Sequence, residues 1–272
     1  MKITTLFVLV FCSLLFFACK KNNSLSPTSN TAKCKLLTEY SNFNGGNVSY
    51  TYSYNTDGTI ANISYPPANM AVGYASASIT RPASVRAGLT DSLNTYYNAN
   101  IYTGLPTEGR QSITLDGITQ VDYWVYQFLY DAKSRLIQVI ETTPRVLNDA
   151  EYKLTIFYND QDNVTQLKYE SYTGPNYSVV ISATGYDDKP GPYASIKNWP
   201  LFMHAAWNSS DPGPIFIALS KNNPLGYTGD VTVTRSMVYI YNENGFPVKR
   251  ANTNKNSSGS YSFDETYTYQ CN

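Results

Sequence analysis

A single histidine, His204, is present in 272 residues, so a histidine-rich metal centre is excluded and a Ser-His-Asp arrangement would have one available base. His204 lies between Met203 and Ala205 in an apolar segment, where a packed or capping role is favoured over catalysis. Charge is also scarce. Asp, Glu, Lys and Arg make up 15% of the chain and balance, with 20 basic against 20 acidic residues. A balanced chain lacks the basic surface that nucleic-acid binding requires. There is no Gly-rich phosphate loop, no zinc spacing and no calcium loop; Asp57-Gly58 and Asp160-Gln161-Asp162 fall short of the ligand count of an EF-hand. No cofactor is implied. A long apolar run occurs once, at residues 3–17, and is too short for a comfortable membrane span.

What the chain has instead is tyrosine, 25 of them, with polarity supplied by Asn, Ser and Thr. That is the composition of half-buried β-strands. Strict alternation marks residues 48–54, where Val48, Tyr50, Tyr52 and Tyr54 alternate with Ser49, Thr51 and Ser53, and residues 152–158, where Tyr152, Leu154, Ile156 and Tyr158 oppose Lys153, Thr155 and Phe157. Further strands are expected at 59–65, 136–142, 164–172, 177–186, 231–241, 246–253 and 261–271. Asp116-Gly117 between two alternating runs predicts a hairpin whose outgoing strand continues to Tyr130. Residues 68–110, interrupted by Pro82, Gly88 and Pro106, have no clear period, and 85–97 fits a strand or a short helix.

One phrase recurs: a tyrosine, then Asn or Asp opening a turn, then Gly near its close. It is found at Tyr54-Asn55, Tyr130-Asp131, Tyr158-Asn159 and Tyr241-Asn242, with Gly at 58 and 245. Tyr130, Tyr158 and Tyr186 are spaced 28 residues apart, a length that fits one hairpin of two strands and two turns. The copy at Tyr186 departs, since Asp187-Asp188-Lys189-Pro190-Gly191-Pro192 reads as a break in the hairpin pattern. The following insertion, 193–223, is expected to be partly helical, at Trp199 to Trp207 and again at 215–219, and to act as a plug over an open end or face of the sheet.

The N-terminus has Lys2, the apolar run and then Leu15-Phe16-Phe17-Ala18-Cys19, which resembles the lipobox of bacterial lipoproteins. The resemblance implies a leader over 1–18, lipidation of Cys19 and a partner in the membrane reached through that anchor. Residues 19–33, rich in Asn and Ser, then form a flexible tether of about 20 Å reach, and 34–272 a single β-rich domain. Cys12 leaves with the leader, so Cys34 and Cys271 remain, and in an oxidising compartment they are expected to form a disulfide that makes the first and last strands neighbours.

The tyrosine turns resemble the YD, or Rhs-like, repeat of secreted and cell-surface bacterial proteins, departing from it at Ser134 and Asp162 where Gly is usual. Together with the lipobox, Cys34, Ser220-Lys221-Asn222-Asn223-Pro224 and the closing Tyr267-Thr268-Tyr269-Gln270-Cys271, they are similar to a family of Gram-negative lipoproteins of unknown function. That resemblance implies a mainly β fold, a large curved antiparallel sheet or barrel-like meander of hairpins with a short helical insertion. It also implies an outer-membrane, lipid-anchored location, periplasmic or surface-facing, and transfers no active site. A barrel that itself crosses the membrane is disfavoured, because the anchor would be redundant and the C-terminus lacks an aromatic.

Two functions are compatible with this. The first is a non-enzymatic binding or structural module of the cell envelope, with another envelope protein as partner. The second is a glycan-binding or glycan-degrading lipoprotein in which Trp124, Tyr126, Trp199 and Trp207 stack on sugar rings. An enzyme of that kind needs two carboxyls meeting at one site, and a sheet face filled by packed side chains would argue against it.

Overall fold

Alternation of the kind seen at 48–54 and 152–158 leaves each strand with one apolar face to cover, and the chain covers them by curling the sheet on itself. The computed structural model describes residues 34–271 apart from 57, 59 and the stretches 43–46, 66–67, 74–77, 87–88, 98–106, 116–117, 143–149, 173–176, 197–211 and 231–232. In order, the strands are β1 (Cys34–Ser41), β2 (Val48–Tyr54), β3 (Ile60–Tyr65), β4 (Ala68–Gly73), β5 (Ser78–Arg86), β6 (Leu89–Tyr97), β7 (Glu108–Leu115), β8 (Ile118–Tyr130), β9 (Leu136–Thr142), β10 (Ala150–Tyr158), β11 (Val164–Ser171) and β12 (Tyr177–Pro190). A short helix, α1 (Gly213–Leu219), precedes β13 (Asn222–Gly229), β14 (Thr234–Tyr241), β15 (Pro247–Asn256) and β16 (Gly259–Cys271).

Each strand pairs antiparallel with the next, and β1 pairs with β16 as well as with β2, so the ladder closes into a barrel. The closing pair begins at Cys34 opposite Cys271, whose Cα atoms are 4.0 Å apart and whose sulfurs are bonded, as expected from the cysteine arithmetic. The ladder is narrowest between β13 and β14, where two residue pairs carry it, Gly226 with Ser236 and Tyr227 with Arg235. Side chains seal the wall beyond them. The Tyr239 hydroxyl donates to the Pro224 carbonyl at 2.9 Å, and the Tyr241 hydroxyl donates to the Asp187 carboxylate, which also accepts from the backbone and side-chain amides of Asn223.

The four tyrosine turns share one geometry. Tyr54, Tyr130, Tyr158 and Tyr241 each pair with the residue six places on, and each pairing follows a register shift. Gly58, Ser134, Asp162 and Gly245 donate backbone N–H to the carbonyl three residues earlier, and all four have φ between 63° and 85°. The side chains of Asp131, Asn159 and Asn242 each accept two backbone N–H groups, two and four residues on, which is why the turn opens with Asn or Asp. Ser134 and Asp162 therefore adopt the left-handed conformation without being glycine. In a meander all even-to-odd connections lie at one end. The four turns thus share a rim with the β12–β13 connection.

That connection, residues 191–221, departs from expectation at both ends. β12 does not stop at Tyr186 but continues as an irregular strand to Pro190, which pairs with Asn222. β13 was not expected, since Asn222-Asn223-Pro224-Leu225-Gly226 has no apolar period; Tyr227 and Asn223 nevertheless face inward. The helix foreseen at 215–219 is α1, started by Pro212 and Pro214; the one foreseen near Trp199 to Trp207 lies outside the described residues. Of the range 85–97, residues 85–86 and 89–97 are strand rather than helix.

The core lies inside the barrel. Leu36, Tyr52, Ile63, Phe128, Leu154, Leu167, Tyr169 and Ile181 of the wall form one buried cluster with Tyr193, Ile196, Ile215, Phe216 and Ile217 of the insertion. Phe216 stacks on Tyr227 with ring centroids 6.0 Å apart. Outward positions are mostly polar: Lys153 and Lys168 pair with Glu170 at 2.8 and 2.9 Å, and Lys249 with Asp264 at 2.6 Å. Ile118, Leu129, Phe157, Leu225, Val238 and Ile240, with Tyr40, Tyr172, Tyr177 and Tyr261, are exposed apolar or aromatic exceptions among the described residues.

Candidate functional site

The aromatic residues predicted to bind a sugar do not form a platform among the described residues. Tyr126 is buried in the core, in phase with Phe128 and stacked near it with centroids 6.3 Å apart. Trp124, in the same phase, packs against the core and is partly buried. Trp199, Trp207 and His204 lie outside the described residues, as does the lipidation residue Cys19. Among the described residues no group of His, Cys, Asp or Glu could hold a metal ion.

Instead, the structure gathers charge inside the barrel, on β1, β15 and β16. Glu39, Arg250 and Glu265 are 7%, 3% and 9% exposed. Their meeting depends on a register shift in β1 between Leu36 and Thr38, which turns Glu39 inward instead of Thr38. On β15 the inward phase is Arg250, Asn252 and Asn254; on β16 it is Phe263, Glu265 and Tyr267.

Arg250 pairs with the Glu265 carboxylate, which also accepts from Asn252 Nδ2 at 3.1 Å. Among the described residues, Arg250 Nη1 and Asn252 Oδ1 have no hydrogen-bond partner. Burial pulls the Arg250 guanidinium toward its neutral form, but the Glu265 charge together with Tyr267, Tyr239 and Tyr193 outweighs it and raises its pKa. Next to this pair, Arg235 Nε donates to Asn254 Oδ1 at 2.6 Å while its guanidinium lies over the rings of Tyr227 and Phe263 at 5.4 and 5.0 Å.

Glu39 joins three elements. Its Oε2 accepts from the Tyr52 hydroxyl of β2 at 2.9 Å, and both of its oxygens accept from the Tyr193 hydroxyl of the insertion, at 2.8 and 2.9 Å. Burial and the Glu265 carboxylate push the Glu39 carboxyl up from 4.5 to about 7, against the opposing pull of the two hydroxyls and Arg250. Burial, then the Glu39 charge, raises the Tyr52 and Tyr193 hydroxyls.

At the rim the insertion is fastened by polar contacts. Asn222 N donates to Asn163 Oδ1 at 2.9 Å, and Asn163 Nδ2 returns a bond to Asn222 Oδ1 at 3.1 Å. Ser220 Oγ accepts from Val164 N at 3.0 Å and contacts the Tyr186 hydroxyl, itself bonded to the Val164 carbonyl.

Two solved structures share this fold. A porin-like protein from Bacteroides uniformis ATCC 8492 matches with a TM-score of 0.57 and 14% identity, over 88% of this chain and 98% of its own. A porin-like protein from Bacteroides vulgatus ATCC 8482 matches with a TM-score of 0.50 and 12% identity, over 86% and 98%. No protein-family model matches the chain, and the search of curated proteins finds no match. At these identities the likeness concerns architecture.

The arrangement thus has two features relevant to function. Among the described residues, inward side chains of the wall and of the insertion form one buried cluster. The buried carboxyls meet Tyr, Arg and Asn side chains, and neither presents an exposed face to a substrate.

Proposed function

We propose that this protein is a lipid-anchored cell-envelope protein whose barrel is a filled, water-facing scaffold: a non-enzymatic binding or structural module. The observation that supports this most strongly is the phase of the strands. In a barrel that crosses a membrane, an outward apolar band about 25 Å tall faces lipid and the lumen is polar. Here Lys153, Lys168 and Asp264 face outward from near the middle of their strands and Glu170 and Lys249 from nearer the ends, while Leu154, Leu167, Ile215 and Phe216 lie inside. A lysine on the lipid face costs about 2–4 kcal/mol at the membrane midplane. Several such residues favour water as the outer solvent. The Bacteroides structures carry the description porin-like, which fits an envelope location; the membrane attachment proposed here is through Cys19.

The test is a Cys19→Ser variant of the full chain expressed in a Gram-negative host. The native chain is expected in the membrane fraction and the variant in the soluble fraction, folded. Retention of the variant in membranes, or ion conductance on adding it to planar bilayers, would count against the reading. A glycan array with the soluble variant separates the two kinds of module: sugar binding lost on Trp124→Ala or Trp207→Ala would favour the glycan-binding one.

A further inference from the structure

One strand of the wall, β14, carries apolar side chains on both of its faces. Over residues 237–240, Met237 and Tyr239 pack into the core while Val238 and Ile240 face outward, 67% and 57% exposed. A run that is apolar on both faces is the pattern of a strand covered on both faces. Among the described residues only Ile118, at the opposite end of the barrel, exposes a larger share of a large apolar side chain. We propose that a second copy of this chain covers the outer face of β14, so that two barrels stand side by side on the membrane about a two-fold axis.

The choice of occupant follows from where the chain enters the barrel. β16 meets β1 at the end that holds the tyrosine turns, and the Tyr54 hydroxyl of the first turn donates to the Leu36 carbonyl at 2.7 Å. Residues 20–33 lead to that end from Cys19, with a reach of about 20 Å as a flexible coil. Ile240 is one residue from Tyr241 and its turn and Val238 is three, so both lie within about 10 Å of that rim along the strand. Copies anchored in one membrane therefore carry the same sideways-facing stripe at the same height. A two-fold axis normal to the membrane brings stripe against stripe. The inference rests on the reading of Cys19 as the anchor, which supplies this alignment and, by holding the copies in one plane, raises their effective concentration.

The surroundings of the stripe suit a like partner. Across the β14–β15 ladder Val238 is opposite Ala251, and Ile240 is opposite Lys249, whose charge is matched by Asp264 at 2.6 Å. On the other flank Leu225 of β13 is 42% exposed, and Lys189 pairs with Asp188 at 3.5 Å. Both flanking lysines are thus matched by carboxylates within their own chain, which limits repulsion between two identical faces. Lipid fits this face less well. Glu243 lies in the turn beyond Ile240, and Lys189 approaches Gly245 of the same turn, so both would enter a bilayer ahead of the stripe.

Engineered cysteines read the interface. Cys34 and Cys271 are bonded to each other, so Val238→Cys or Ile240→Cys places a new thiol on the outer face. Membranes from cells expressing each variant of the full chain are oxidised, and the products are resolved on non-reducing gels and weighed by mass spectrometry. Both variants should give a homodimer at a yield at least about tenfold above Gln127→Cys, an exposed position on β8 near the same rim. Adding Ile240→Lys to Val238→Cys sets two cations face to face and should lower that yield by about tenfold or more. Equal yields at all three positions, a yield that Ile240→Lys leaves unchanged, or a product with a protein of another mass would each overturn the proposal. Should Ile240→Lys fail to fold, Val238→Cys against Gln127→Cys still decides it. Recovery of the native chain in the soluble fraction counts against the anchor, whereas absence of the homodimer from whichever fraction holds the chain counts against the interface.

Discussion

Reducing the Cys34–Cys271 bond should destabilise the barrel without changing its fold. The bond spans 237 residues of sequence. For a loop of that length the chain-entropy relation gives about 5.5 kcal/mol of constraint on the unfolded chain, and native disulfides commonly deliver about 2–5. In the folded state little is lost, because β1 and β16 remain paired from Cys34 opposite Cys271 to Ser41 opposite Glu265. Beyond the ladder, Asn42 and Asp264 exchange two further hydrogen bonds, at 3.3 and 2.8 Å. The effect therefore resides in the unfolded ensemble. At about 2–4 °C per kcal/mol for a chain of this size, Tm should drop by roughly 5–20 °C. Refolding should slow, because pairing the first strand with the last is the most non-local contact in the chain and the bond already closes that loop. The assay is a thermal melt with and without reductant, thiols counted by mass spectrometry, and a Cys34→Ser/Cys271→Ser chain as reference. Free thiols in the unreduced protein, or a Tm shift under 2 °C on complete reduction, would refute the reasoning.

Three further outcomes can be read by urea denaturation at pH 7. Arg250→Ala leaves the Glu265 carboxylate buried without its cation and should cost about 3–5 kcal/mol, whereas Arg250→Met combined with Glu265→Leu should recover most of the loss. Ser134→Gly should gain about 0.5–1 kcal/mol, since φ is 63° at Ser134, and Gly245→Ala should lose at least as much at φ 81°. Tyr158→Phe removes the hydroxyl that donates to the Leu136 carbonyl at 2.9 Å and should cost about 1 kcal/mol.

Much of the architecture was legible wherever period two was clean. β2 and β9 have the bounds expected from the sequence, and the predicted faces of β10 are the observed ones, with Leu154 and Ile156 in and Lys153 and Phe157 out. The antiparallel pairing of β7 with β8 on either side of residues 116–117, which lie outside the described residues, and the pairing of Cys34 with Cys271 were legible too. β13 was not, because its Pro, Gly and Asn residues contradict strand propensity. It is held by its neighbours: Asn223 by Asp187, and Gly226 by a backbone approach to Arg235 that any Cβ would block. The charged cluster was illegible for a different reason. On β15, Arg250, Asn252 and Asn254 alternate with Lys249, Ala251 and Thr253, so hydropathy cannot say which set faces in. On β1, the shift after Leu36 exchanges the faces, and a count from Cys34 would have turned Thr38 inward in place of Glu39. Tyr126, expected on a sugar platform from its residue type, alternates in step with Phe128, and both face the core.

Phase also separates this chain's chemistry from the name its structural neighbours carry. A closed antiparallel barrel can direct either set of alternating residues outward, and its topology is the same in both cases. Lys153 and Glu170 on the outside and Leu154 and Tyr169 on the inside are the phase that supports the proposed reading of water outside and a packed interior. A barrel of sixteen strands has more interior than wall side chains alone can fill. The break in the repeat after Tyr186 supplies the remainder, Tyr193 and Ile196 from one leg and Ile215 to Ile217 from the other. If that reasoning holds, Phe216→Ala should act as a core substitution costing about 3–5 kcal/mol, although Phe216 belongs to a connection between strands. A cost below 1 kcal/mol would mean that the insertion covers the barrel without filling it.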